Sequence, residues 1–166
     1  MTSLAWINPS FFPVDDTAIV SQLQNGYGYQ LDTTADRGPR TVGFKLTNAS
    51  GHLMARYGAT PLVVGTWYHV AGVYDARART LDVYLNGKLD DGVLLGPVTG
   101  TQHSSRSALY VGRRSDLKGF EFVGYIHDVR IYSFALTDPE IAADMNGILR
   151  ARCFEAGKEL IDCALA

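Results

Sequence analysis

The stretch Gly65–Gly87, GTWYHVAGVYDARARTLDVYLNG, constrains the chain more than any other. Its first arm is crowded with aromatic and β-branched residues, which suit a pleated, packed surface. Trp67, His69, Ala71 and Val73 fall on one face of a strand, and Tyr68, Val70, Gly72 and Tyr74 on the other. Both faces are largely apolar, so this arm is expected inside a sheet covered on both sides. A polar turn, DARAR, follows. Leu81, Val83 and Leu85 then alternate with Asp82, Tyr84 and Asn86, the pattern of a half-buried strand ending on the turn dipeptide Asn86-Gly87. A hairpin with one fully buried arm is the expected centre of an all-β, two-sheet antiparallel sandwich. Trp67, and Trp6 in SLAWINP, are expected to be structural.

The remaining signals agree with a sandwich. Short strands are expected at residues 3–9, in AIVSQLQ, in the YGYQLD segment, and in a hairpin turning at Asn48–Gly51. Asn48-Ala49-Ser50 is formally a glycosylation acceptor but sits where a plain turn belongs. After Gly87 a glycine-rich connection holds a short edge segment, SALYVGRR is a strand, and FEFVGYIHDVRIYSFAL is a long or bent one. In it Val123, Tyr125, His127, Val129 and Ile131 share a face, which places His127 in the core as a neutral, hydrogen-bonded group. Seventeen glycines against four glutamates favour turns over helices. The clear helical start is Thr137-Asp138-Pro139-Glu140, with a capping threonine, an early proline and a box-closing glutamate; the helix stops at Asn146-Gly147.

The 166 residues suit one domain, expected over residues 1–147, with a tail at 148–166 of uncertain structure placed to complete the sandwich. A net charge of −2 provides no global field for nucleic acid or anionic lipid, and no apolar run is long enough for a membrane span. No leader-like segment precedes Leu4. Cys153 and Cys163 match no zinc or redox spacing; one disulfide and two thiols both remain open.

The ordered series SLAWINP, IVSQ, GTWYHVAGVYD, LDVYLNG, LYVGRR and GYIHDVRIYSFALTDPEIAADMNG, covering residues 3–147, resembles a LamG-like jelly roll of the concanavalin A-like lectin/glucanase superfamily. The resemblance implies a binding module of a larger secreted or cell-surface protein. Two departures stand out. Such domains usually begin with a further strand carrying a Phe-Asp-Gly-like motif, which this chain starts too late to contain, leaving a sheet edge exposed. Their closing strand often reads Ile-Asp-Glu-Val, whereas here it is Ile126-His127-Asp128-Val129.

Relatives of this superfamily can hold a structural calcium with carboxylates of that closing strand. His127 is a nitrogen ligand where a hard oxygen is wanted, so no cofactor is expected, with a structural calcium kept as the minor alternative. The acidic pairs Asp15-Asp16 and Asp90-Asp91 add no further support for calcium. Retaining glycosidases on such sandwiches place two carboxylates on one strand face. None of the four glutamates begins such a series, so no catalytic residue is assigned and the chain is not expected to be an enzyme. Sugar-binding modules combine aromatic platforms with a few polar groups. The residues that fit this need are Tyr27, Tyr29 and Tyr57 beside turns and loop edges, with Arg113 and Arg114 for acidic groups. The expected partner is carbohydrate or a glycoprotein. The alternative is a structural or adhesion domain that pairs with another protein chain through an exposed sheet edge.

Overall fold

The computed structural model describes residues 1–147; the tail 148–166, with Cys153 and Cys163, lies outside the described residues. Two antiparallel sheets face each other. One has the order β11 (Gly124–Tyr132), β1 (Thr2–Pro9), β6 (Tyr68–Asp75), β7 (Thr80–Leu85) and β8 (Lys88–Leu89). The other runs β10 (Tyr110–Val111), β2 (Thr17–Gln24), β3 (Tyr27–Thr34), β4 (Thr41–Thr47), β5 (Leu53–Gly58) and β9 (Asp91–Leu95). The chain passes from the edge of the first sheet to the edge of the second at Asp90, between β8 and β9. Among the described residues, no helix is long and apolar enough to cross a membrane.

The core forms where strand alternation turns apolar side chains inward. Ile7, Val70, Leu81 and Val83 of one sheet meet Leu31, Val42, Phe44 and Leu46 of the other. Gly72 lies under Phe44: a Cβ there would fall 2.1 Å from the phenylalanine Cγ, so the inner face of β6 needs a glycine at this point. A second cluster covers the outer face of the five-stranded sheet. There Leu4, Ala71, Val73, Tyr84 and Tyr132 pack under Leu136 and Ile141, the latter carried by α1 (Asp138–Met145). As the sequence indicates, Thr137 caps α1 and Glu140 accepts the Thr137 backbone N–H at 2.8 Å.

The hairpin β6–β7 lies inside the five-stranded sheet, and β6 is buried on both faces from Tyr68 to Tyr74. Trp67 does not share that fate. It precedes β6, is 48% exposed, and tilts against Tyr125 with ring centroids 6.5 Å apart. Its alternation points it to the outer face of the sheet, where the described cluster under α1 does not extend to it. Trp6, half-buried, meets His69 edge-on at 5.4 Å.

His127 is also not in the core; it is exposed. In the β1–β11 pairing Leu4 faces Arg130 and Trp6 faces His127, so two residues of β11 oppose Ala5 alone. This bulge, with Asp128 at φ 56°, reverses the alternation: Ile126 before it and Val129 and Ile131 after it pack on the core. Counting straight through the strand put His127 on the wrong face. The Asp128 carboxylate pairs with Arg130. The strand expected in SALYVGRR shrinks to two residues. Asn48 is in a turn, its side-chain oxygen accepting the N–H groups of Ser50 (2.9 Å) and His52 (3.0 Å).

Candidate functional site

The outer face of the six-stranded sheet is built differently. On β3 and β4 the residues alternate with the core set, so Gln30, Asp32, Lys45 and Thr47 project away from Leu31, Phe44 and Leu46. Two segments wall them in. The first is the loop 10–16, held down by Arg40, whose guanidinium donates to the carbonyls of Pro13, Asp15 (2.9 Å) and Thr33 (3.1 Å) and lies over the Phe12 ring. The second runs over residues 112–121. Ser115 hydroxyl closes on the β2 edge at Leu23, and Arg114 stacks 4.6 Å from the Phe120 centroid while pairing with Asp116 at 3.0 Å. Between them lies a cavity of about 420 Å³, with apolar wall from Leu23, Leu53 and Phe120 and polar wall that includes Gln30, Asp36, Lys45 and Thr47. Ligand pockets are of roughly 300–1,000 Å³ and share this mixture.

Lys45 is the hub. Its ammonium donates to Asp16 and to Asp36 (3.1 Å) and pairs with Asp32 at 3.1 Å. Gln30 Nε2 donates to Asp32 at 2.7 Å, and Tyr57 hydroxyl donates to Asp36 at 2.9 Å. Asp32 lies flat on β4 only because its partner across the ladder is Gly43: a Cβ there would fall 2.2 Å from Asp32 Oδ1. Burial pushes the Asp32 carboxyl up to about 6, against the pull of Lys45 and with the added push of Asp16. Burial works against the charge on Lys45, but Asp32, Asp16 and Asp36 outweigh it and hold that ammonium well above the usual lysine range. Two buried acceptors, Gln30 Oε1 and Asp32 Oδ1, have no hydrogen-bond partner among the described residues. Such atoms are costly to leave unmatched in a low-dielectric site.

Of the residues expected to bind, Arg114 lines the cavity. Tyr57 is 3% exposed, which leaves its ring no free face and only its hydroxyl, on Asp36, in the network. Tyr29 is half-buried and packs against the core. Tyr27 stacks on His103 at 4.1 Å and is not among the lining residues, although its neighbour Gly26, whose carbonyl accepts the Thr47 hydroxyl, is. Arg113 is exposed over the Tyr110 ring at 4.1 Å, apart from the cavity lining. Lys45, Asp32, Asp36, Gln30 and Phe120 were not singled out from the sequence, and Asp16 was weighed only as half of an acidic pair. A signal was present: Gln30-x-Asp32 and Lys45-x-Thr47 are polar pairs on one face of strands whose other face is apolar.

Carboxylates therefore do gather in a cleft, in Asp rather than Glu. A retaining glycosidase needs one acid and one nucleophile about 5 Å apart; here Asp16, Asp32 and Asp36 share a single ammonium, and Asp32 is fully buried. The closing strand does not suit calcium, since the Asp128 carboxylate is taken by Arg130 and His127 points outward. Among the described residues no group of three or more His, Cys, Asp or Glu side chains is arranged to hold a metal. Asp90 accepts from Thr60, and Asp91 from the Val83 N–H.

An antiparallel sandwich with one outer face partly covered by a helix and the other opened into a polar cavity is a jelly roll of the lectin-like class. A model of the concanavalin A-like lectin/glucanases superfamily, Laminin G 3, matches residues 1–142, and the chain belongs to this family. Solved structures with similar folds include a candidate carbohydrate binding protein from Bacteroides ovatus, 25% identical at a TM-score of 0.66. That match covers 85% of this chain and 39% of the Bacteroides chain, so this chain spans well under half of that relative. Domain 4 of the extracellular arabinanase AbnA from Geobacillus stearothermophilus, in complex with arabinotriose, is 21% identical with a TM-score of 0.57, covering 87% of this chain and 65% of its own. The CBM40 of a Ruminococcus gnavus IT-sialidase is 17% identical with a TM-score of 0.60, covering 87% and 81%. The last two likenesses establish the fold alone. No curated protein sequence matches the chain.

Proposed function

We propose that this domain is a non-catalytic carbohydrate-binding module of a larger secreted or cell-surface protein, acting without a cofactor. The observation that carries it is the cavity, which joins an apolar wall able to meet sugar C–H faces with a cluster of polar groups that fix hydroxyls. Solved neighbours named as a candidate carbohydrate binding protein, an arabinotriose complex and a carbohydrate-binding module support it. The module occupies residues 1–147. Arg114 and Phe120 are the contacts in the wall, and Tyr27 adds a contact from the turn beside Gly26. Tyr57 acts through its hydroxyl on Asp36.

The test is a glycan array on the purified chain, followed by calorimetry on the best ligand with wild type and Phe120→Ala. Binding to a defined glycan set, weakened about tenfold by Phe120→Ala with an unchanged melting temperature, is the expected result. A folded chain that binds no glycan overturns the proposal.

A second reading, pairing of two copies through a sheet edge, is favoured by β11. It is the edge strand of its sheet, and Tyr125 there is 68% exposed beside the half-exposed Trp67. Sedimentation of the chain together with a Tyr125→Lys variant decides it: a dimer lost in the variant supports pairing, and a monomer at high concentration removes it.

A further inference from the structure

The cavity has a sign. Asp15, Asp16 and Asp36 line it, Asp32 and Asp116 pair with its two lining cations Lys45 and Arg114, and with Arg40 in the 10–16 wall three cations stand against these five carboxylates. All three are engaged: Lys45 on three acids, Arg114 on Asp116, and Arg40 on the carbonyls of Pro13, Asp15 and Thr33. The carboxylates nearest solvent are Asp15 and Asp36, both exposed, so the mouth of the cavity is negative. The wall also offers an acceptor that nothing fills. Asp32 only accepts, which turns the Gln30 amide N–H toward it and leaves Gln30 Oε1, on a side chain 2% exposed, without a donor.

A ligand suited to this chemistry brings donors and positive charge and no acceptor that must sit beside Asp15 or Asp36. An ammonium group has three N–H donors and no acceptor. A carboxylate-bearing sugar would set like charges together in a poorly solvated site. Resting on the carbohydrate reading above, we propose that the cavity selects glycans carrying a free amine, 2-amino-2-deoxy sugars in their ammonium form, over their N-acetylated counterparts and over acidic glycans. The hexosamine ring lies against Phe120, Leu23 and Leu53, and its ammonium meets Asp36 and Asp15 at the mouth. N-acetylation removes the charge and replaces three donors with one, so discrimination falls on one substituent.

Calorimetric titration of the full chain at neutral pH and physiological salt tests this, with a glucosamine oligosaccharide, its fully N-acetylated form, a galacturonic acid oligosaccharide and an oligolysine peptide. The expected result is binding of the amine form at least about tenfold tighter than the N-acetyl form, and no binding of the acidic one. Asp36→Asn should erase most of that preference, and Asp15→Asn part of it, with melting curves confirming that both variants fold. Equal or tighter binding of the N-acetylated or acidic glycan, weakened by Phe120→Ala, overturns the amine selectivity and leaves the carbohydrate reading standing. Oligolysine binding as tightly as the amino sugar overturns it as well, since the site would then read ammonium rather than sugar. Absence of all glycan binding removes both.

Discussion

Each sheet carries a charged network on its outer face, and the two differ in what lies on top. On the five-stranded sheet Asp144 accepts from Tyr132 at 2.6 Å and pairs with Arg130 at 2.7 Å, while Arg130 also holds Asp128. Helix α1 carries Asp144 down onto the sheet, where it is 2% exposed. On the six-stranded sheet Lys45 gathers three acids, but loops rather than a helix surround it and a cavity stays open. Similar side chains thus serve a lock on one face and a site on the other. The deciding feature is whether a regular element with its own apolar stripe is available as a cover.

That contrast is sharpest in the energetic weight of each hub. Asp144→Ala leaves Arg130 buried with half its partners and frees the Tyr132 hydroxyl, and removing one partner from a buried pair costs about 3–5 kcal/mol. Urea unfolding should show a loss of that size with glycan affinity unchanged in the remaining folded protein. A loss below about 1 kcal/mol would mean that the helix side is no lock.

The two faces should also respond oppositely to acid. Asp32 has its carboxyl raised from 3.8 to about 6, so the folded chain holds that proton more tightly than the unfolded chain. The contribution is full at low pH and is lost as pH rises through that interval, so stability from this group falls between pH 3.8 and about 6. For Asp144, burial opposes the charge, but His69 at 3.7 Å, Tyr132 and Arg130 outweigh it and hold the carboxyl below the usual range. Its contribution is present above its unfolded value of 3.8 and fades as pH drops below that. Melting temperatures across this range should therefore rise more steeply, or fall less, with pH in Asp32→Asn than in wild type. Identical pH slopes in the two proteins would dissolve the distinction.

The smallest effect belongs to the cap of the covering helix. Thr137→Ala removes the hydroxyl that meets Glu140 at 2.8 Å in an exposed corner, and cap losses run to about 0.5–2 kcal/mol, here at the low end. Differential scanning calorimetry should register a shift of a degree or two at most, with no change in ligand binding. A large drop would show that α1 depends on its first turn more than on Ile141 and Asp144.

Much of the fold was legible in local pattern. Period-two alternation in β6 and β7 and the Thr137-x-x-Glu140 signature act over a few residues, and their outcomes match the sequence. The errors lie where a distant contact overrides that pattern. The bulge opposite Ala5 turned His127 outward, and Trp67 lost its cover because the described cluster under α1 ends short of it. The sandwich did not depend on either residue, since β6 is buried without Trp67.

The candidate site was less legible, for a physical reason. Asp16, Asp32, Asp36 and Lys45 come from a loop, two strands and a turn, and each alone looks like an ordinary surface charge. Only the β3–β4 register, which sets Asp32 across from Gly43, and the Arg40 clasp on the 10–16 loop bring them to one ammonium. Alternation, caps and turns act between near neighbours, so the sequence by itself determined two sheets, a buried hairpin and a closing helix. Charge clusters form between residues far apart in the chain, so the tertiary structure alone decided which face stayed open and which groups meet there.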